Sequence, residues 1–266
     1  MPTSPEVLTT PQPGCAVPVV PRPDEGVQDN GRMLRLANRL GISRSLLWAL
    51  RTEGEAAIVG WQSRWWWPAR RRLRQLRQQR ELLVNVGSGP FVIDGFINLE
   101  LRAYHDDVVR WDCRRSLPFT DASCAGIRIE HFVEHLDPRD ELPALLADCH
   151  RALQPGGVLR IIVPDTARYL RAYLDDDRVA FHRLAVPDPL PNDLPTPLDI
   201  VNHVFHQWHE HRWAYDWPSL SWRLQAVGFG DLELTTFQQS RLPALAQDRD
   251  EHAVYSMYVD AVKNVT

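Results

Sequence analysis

Lysine is all but missing from this chain: of its 30 basic residues, 29 are arginine. We read that bias as a property of the coding genome rather than of the protein's chemistry. Cysteine is sparse as well. The four present, Cys15, Cys113, Cys124 and Cys149, form no CxxC pair and no zinc-like spacing, so a zinc ribbon is excluded and a reducing compartment is expected. Cys149 falls at helical spacing among leucines, the position of a buried thiol. No run of 18 apolar residues is available to span a bilayer, and no secretory h-region opens the sequence, so a cytoplasmic location is expected. Acid is missing from residues 64–80, which carry seven arginines; the remainder of the chain is accordingly far more acidic than the overall net charge of −4 suggests.

What is present fits a folded enzyme-sized chain. Its 266 residues, 44% apolar and 24% charged, correspond to one large domain with an extension. Residues 1–30 contain seven prolines and little apolar periodicity, and are expected to be a disordered tail. Residues 31–80 are expected to form a helical extension rich in tryptophan and arginine. Its apolar set is Leu34, Leu36, Leu40, Leu46, Leu47 and Leu50, Ser43 is placed to cap a helix, and Pro68 suits the first turn of a basic helix running to Arg80. From Leu82 onward strand-like and helix-like segments alternate, the pattern of a parallel sheet covered by helices. Strands are expected near 82–86, 96–100, 108–112, 126–130, 157–163, 231–237 and 253–262. A helix over 140–153 stops at Gln154-Pro155-Gly156-Gly157, and a proline- and histidine-rich insertion or lid occupies about 174–216.

The most informative stretch is LLVNVGSGPFVIDGFINLE, residues 82–100. A buried strand opens onto Gly87-Ser88-Gly89, and a second apolar run ends in Glu100. Glycines let the backbone turn tightly and approach a ligand, and a carboxylate at the tip of the neighbouring strand can accept hydrogen bonds from both ribose hydroxyls. The dinucleotide fingerprint has a third glycine, where this chain has Phe91, and an acid about 20 residues on. Only residues 87–95 separate the two runs, too few for a full crossover helix, so a pyrophosphate would lack its usual helix end. A nucleoside ligand without phosphates fits better.

Four further segments follow in order: DCRRSLPFTDASCAGIRIEHFVEHL (112–136), RALQPGGVLRIIVPD (151–165), HRWAYDWPSLSWRLQAVGF (211–229) and AVYSMYVDAVK (253–263). Together with the glycine turn they resemble the class I S-adenosylmethionine-dependent methyltransferases, in particular a small bacterial type 11-like subgroup with a short first crossover. The resemblance covers about residues 82–263. It implies a Rossmann-like, seven-stranded, mostly parallel sheet with helices on both faces, and S-adenosyl-L-methionine as cofactor. It also implies that Val86, Gly87, Ser88 and Gly89 wrap the methionine and ribose of the cofactor and that Glu100 holds the ribose hydroxyls. Asp112 and Cys113 would lie against the adenine, Glu130 and His131 beside the carried methyl, and Leu153, Pro155, Gly156 and Gly157 would form a structural turn. The GSGPF sequence departs from the family's acidic GxGxG form at the first turn.

Transfer of an activated methyl group to an alcohol needs alignment and a base near neutral pKa, most often histidine. His131 ends the fourth strand, where α/β ligands bind. His206 and His211 lie in NHVFHQWHEHRWAYD (202–216), with Tyr215 or Asp216 available to orient a base. Glu134 and His135 could instead brace a helix after the fourth strand. Metal binding by the second cluster is not expected, since no cysteine or clear carboxylate partner completes a site and Trp208 and Trp213 interleave. The acceptor is expected to be a small molecule or saccharide, by association with relatives rather than by physics. Nucleic acid is not an expected partner; residues 61–80 could touch an anionic membrane surface or fold back on the acidic domain with the tryptophans buried. The competing functions are a non-catalytic methyltransferase-like module and a nicotinamide-dependent or sugar-nucleotide enzyme.

Overall fold

The computed structural model describes residues 41–264 apart from Ile42, Ala103, Arg115, residues 186–193, Pro195, Trp208 and His209. The proline-rich tail and the first three leucines of the extension lie outside the described residues. The chain from Leu82 builds one seven-stranded sheet: β1 (Leu82–Val86), β2 (Ile97–Glu100), β3 (Val109–Arg110), β4 (Cys124–Glu130), β5 (Leu153–Pro164), β6 (Asp231–Thr235) and β7 (Ser256–Val262). Their order is β3-β2-β1-β4-β5-β7-β6. All neighbouring pairs are parallel except those made by β7, which runs antiparallel to both β5 and β6.

The helices follow from local sequence. In α1 (Arg44–Trp65) Ser43 accepts the Leu46 N–H at 3.2 Å, the capping bond expected of it. This helix continues without a break through Trp61 and stops at extended Trp66; α2 (Trp67–Gln78) then starts with Pro68 in its first turn. Leu46 and Leu50 of the apolar set are exposed, while Val59 of α1 is buried. Leu73 and Leu76 of α2 enter the main core, burial that contributes about 1.5–3 kcal/mol each. The basic helix is therefore moored to the domain it precedes. Arg72 reinforces this by donating to the carbonyls of Val108 and Asp107 at 3.2 and 2.9 Å.

Beyond the sheet's first half lie α3 (Glu141–Ala152), α4 (Thr166–Leu174), α5 (Arg178–Ala185), α6 (Pro197–His206) and α7 (Trp217–Ala226). The stop after α3 is where the sequence puts it, with Leu153 already extended. In the described part of the insertion Thr196 and Asp199 form a reciprocal capping box and Pro197 sits in the first turn of α6. Helices α4, α5 and α6 share a second apolar cluster with Tyr255.

Alternate residues divide the sheet into two unlike faces. Val84, Val86, Leu99, Ile127, Ile129, Leu159, Ile161 and Val259 form one core with Leu142, Leu145 and Leu146 of α3 and Leu220 and Leu224 of α7. On the opposite face, register places Asn98 beside Asn85, Asn85 beside Arg128, Arg128 beside Arg160 and Arg160 beside Asp260. Arg160 is fully buried and bonds Asp248 at 2.9 and 2.6 Å, Asp260 at 2.9 Å, Thr235 at 3.0 Å and two backbone carbonyls. The covering here comes from the segment between β6 and β7, whose Leu242 and Leu245 press onto Gly126 so closely that a Cβ would lie 2.7 and 2.9 Å from them.

Candidate active site

At the carboxyl end of β1 the chain turns through Gly87 (φ +65°) and Gly89 (φ +53°). These glycines do different things. A Cβ on Gly87 would lie 2.6 Å from the Phe132 ring, so this glycine lets the turn close against the end of β4. A Cβ on Gly89 would meet nothing within 4 Å, so this one faces open space. The Glu100 carboxylate accepts the backbone N–H groups of Gly89 and Arg102, both at 3.1 Å. It is thereby aimed at the glycine turn, with further lone pairs to spare. Cys113 is buried, and burial together with the nearby Glu100 and Asp112 charges pushes its thiol well above the ordinary range, against the pull of a hydrogen bond from the Gly87 backbone. Val86, Gly87, Glu100, Asp112 and Cys113 thus gather at one end of β1, β2 and β3.

Asp112 is held by Arg114, whose Nε and NH2 reach its two oxygens at 2.9 and 3.0 Å. The same guanidinium bonds Glu53 of α1 at 2.5 Å, and Glu55 of α1 bonds Arg102 at 2.8 Å. Helix α1 is tied in this way across the ends of β2 and β3. Between it and residues 111–116 lies a cavity of about 450 Å³, lined by Glu53, Ala56, Ser63, Trp111, Asp112 and Ser116, within the size range of small-ligand sites.

The second half of the site begins at His131, whose backbone sits at φ +49°. A left-handed histidine at a strand end is a strained choice that surrounding contacts must hold. Its Nε2 lies 2.8 Å from Ser256 Oγ, its Nδ1 lies 3.2 Å from Glu134 Oε1, and its ring stacks on His252 with centroids 3.7 Å apart. With Pro164, Tyr169, His203, His211 and Tyr255 it lines a smaller cavity of about 60 Å³ beyond β4 and β5.

Other expected residues are placed differently. Glu130 does not stand free beside this cavity: Arg128, His252 Nδ1 at 2.9 Å and the Arg249 N–H at 3.3 Å occupy its carboxylate. Burial alone would raise its pKa, but the His252 hydrogen bond and the Arg128 charge prevail and pull it to about 2. His206 is the exposed last residue of α6 and does not reach the cavity. His211 does, with its Nδ1 2.7 Å from the Val204 carbonyl, and burial lowers its pKa. Neither neighbour orients it. Tyr215 is fully buried, with its carbonyl accepting from Thr166, and Asp216 caps α7 through the Ser219 N–H at 2.8 Å. Residues 133–135 form a short 3₁₀ turn rather than the start of an α-helix, which turns Glu134 inward. His209 lies outside the described residues. His252 went unrecognised in the sequence, and its DEH context carries no signal for it; only the fold brings it to β4.

The sheet order with a single reversed strand, and the glycine turn facing an acid on the neighbouring strand, make a Rossmann-like α/β fold of the kind that class I S-adenosylmethionine-dependent methyltransferases share. Consistently, residues 96–161 match the family described as a methyltransferase domain. That match starts beyond the glycine turn. No protein of curated function matches the chain. Among solved structures it is similar to a SAM dependent methyltransferase from Archaeoglobus fulgidus, at 16% identity over 87% of this chain and 99% of that one, with a TM-score of 0.42. It is also similar to a SAM dependent methyltransferase from Aquifex aeolicus (12% identity, 73% of this chain, 89% of that one, TM-score 0.37). A third is geranyl diphosphate C-methyltransferase from Streptomyces coelicolor A3(2) (12% identity, 73% and 74%, TM-score 0.41). Among the described residues no helix is long and apolar enough to cross a membrane.

Proposed function

We propose that this protein methylates a hydroxyl of a small-molecule or saccharide acceptor, with His131 as the base. The cofactor's sulfonium supplies an already activated methyl group. The chain's own work is to align the acceptor with it and to receive the proton released, and alignment alone is worth several kcal/mol. Val86, Gly87, Ser88, Gly89 and Glu100 would hold the methionine and ribose, and Asp112 and Cys113 would face the adenine. The open space over Gly89 and the aim of Glu100 fit that ligand.

The observation that carries the reading is the setting of His131. Its Nδ1 faces the Glu134 carboxylate, so the proton resides there and Nε2 presents a lone pair. That lone pair takes the Ser256 hydroxyl in this structure and would take the acceptor's proton in its place. His211 lines the same cavity and serves to shape it rather than to receive the proton, since its Nδ1 is engaged by Val204. The test is a calorimetric titration of S-adenosylmethionine and S-adenosylhomocysteine into wild type and Glu100→Ala. Micromolar binding that weakens about tenfold or more in the variant supports the site, since a lost charged hydrogen-bond partner is worth about 1.5–3 kcal/mol. Absence of binding by folded wild-type protein rejects the enzyme and leaves the non-catalytic module.

A second property concerns the extension. Trp61, Trp65, Trp66 and Trp67 are all at least half exposed and adjoin a basic helix, a composition suited to an anionic membrane surface. Sedimentation with anionic vesicles, compared with neutral ones, tests this. Equal partitioning to both would reject it.

A further inference from the structure

Facing His131 accounts for only part of the Glu134 carboxylate. The residue is about 1% exposed, its Oε1 has only the His131 Nδ1 at 3.2 Å, and its Oε2 has no hydrogen-bond partner among the described residues. A buried carboxylate left in that condition is costly unless something else satisfies it. Its surroundings supply a candidate. Glu134, His135 and His211 each bring one ligand atom to within 4.8 Å of the other two, and the two imidazoles meet edge to face with centroids 4.9 Å apart.

Both rings are pre-set in the manner of metal ligands. His135 Nδ1 lies 3.0 Å from the Glu210 carbonyl and His211 Nδ1 lies 2.7 Å from the Val204 carbonyl. A carbonyl only accepts, so in each ring Nδ1 carries the proton and Nε2 keeps its lone pair. A backbone carbonyl fixing the tautomer is the usual outer partner of a ligating histidine. The main chain is braced too, since the Arg212 and Trp213 N–H groups both donate to the Glu134 carbonyl, at 2.8 and 3.2 Å.

We propose that Glu134, His135 and His211 bind a divalent transition-metal ion, with zinc as the probe. Two imidazole nitrogens and one carboxylate oxygen suit zinc or a similar borderline ion, whereas calcium and magnesium favour all-oxygen sets. Three protein ligands leave a further position for water or another oxygen, unlike the closed four-ligand structural sites. The ion would fasten the segment carrying His203, Gln207 and His211, one wall of the smaller cavity, to the end of β4. The sequence argued against metal because no clear carboxylate partner within residues 202–216 completes a site; the structure brings Glu134 in from beyond β4 instead. The proposal does not rest on methyl transfer, although Glu134 serves both sites.

The test uses the full chain, stripped with a chelator and dialysed, then titrated calorimetrically with zinc chloride. Wild type is compared with Glu134→Gln, His135→Ala, His211→Ala and, as a control, His150→Ala. The expected result is about one zinc per chain at micromolar affinity or tighter, unchanged in the control and weakened about tenfold or more in each ligand variant. Cobalt substitution read by its visible absorption should follow the same order. His135 is half-buried, so its variant keeps the test open should Glu134→Gln fail to fold. Absence of stoichiometric zinc binding by wild type overturns the proposal, as does undiminished binding by His135→Ala and His211→Ala.

Discussion

The same strands make both faces of the central sheet, yet the two faces hold together on opposite terms. One is aliphatic throughout, from Val84 and Leu99 to Ile161 and Val259, and meets the leucines of α3 and α7. The other carries a row of amides and charges from Asn98 through Asn85, Arg128 and Arg160 to Asp260. Apolar contact is non-directional and scales with the area removed from water, so each side chain there contributes by size and its neighbours survive its loss. The polar row is different. Each member is buried on condition that its partners remain, and removing one charge strands the others in low dielectric. The aliphatic face should degrade gradually and the polar face abruptly.

The sharpest way to break that contrast is Arg160→Met. It leaves Asp248 and Asp260 buried without their cation, and a loss of about 3–5 kcal/mol is expected in urea unfolding. Replacing Asp248 and Asp260 by apolar residues in the same chain should recover much of that loss. A cost below about 1 kcal/mol for Arg160→Met alone would erase the distinction.

Acid offers a second, intermediate test. Glu130 titrates near 2 when folded against an ordinary 4.5, so its stabilising share is complete above about 4.5 and is lost as pH falls toward 2. Glu130→Gln should therefore lie below wild type at pH 7, and the gap between their urea midpoints should narrow between pH 4.5 and pH 2. A gap that stays constant over that window would show that the carboxylate's charge is not what the row depends on. The smallest effect belongs to the aliphatic face: Ile161→Val should cost about 0.5–1.5 kcal/mol in the same assay, with no pH dependence.

Sequence revealed the fold where a pattern was local. The apolar run at 82–86 gives β1 with the same bounds, Gly156 does follow the helix that ends at Ala152, and the glycine turn and Glu100 do meet. It failed where partners are far apart along the chain. The alternation Ile127-Arg128-Ile129-Glu130 announces a two-sided strand, but nothing near it announces Gln247, Arg249 or His252 as the groups that satisfy it. Glu134 reads as a brace for a helix after β4 until the 3₁₀ turn buries it near His211. The leucines of α1 mislead for a related reason: helical spacing says which residues share a face, not whether a domain covers it.

The sheet's two outer strands have a consequence for life at high concentration. An open edge presents unpaired backbone groups to any other extended chain, a standing invitation to fibril growth. Here β3 is only two residues long, too short to template an incoming strand. At the other margin β6 sets Asp231 and Glu233 outward, with Arg241 paired to both, so a stranger docking there would have to displace salt bridges and bury charge. Shortness guards one margin and paired charge the other.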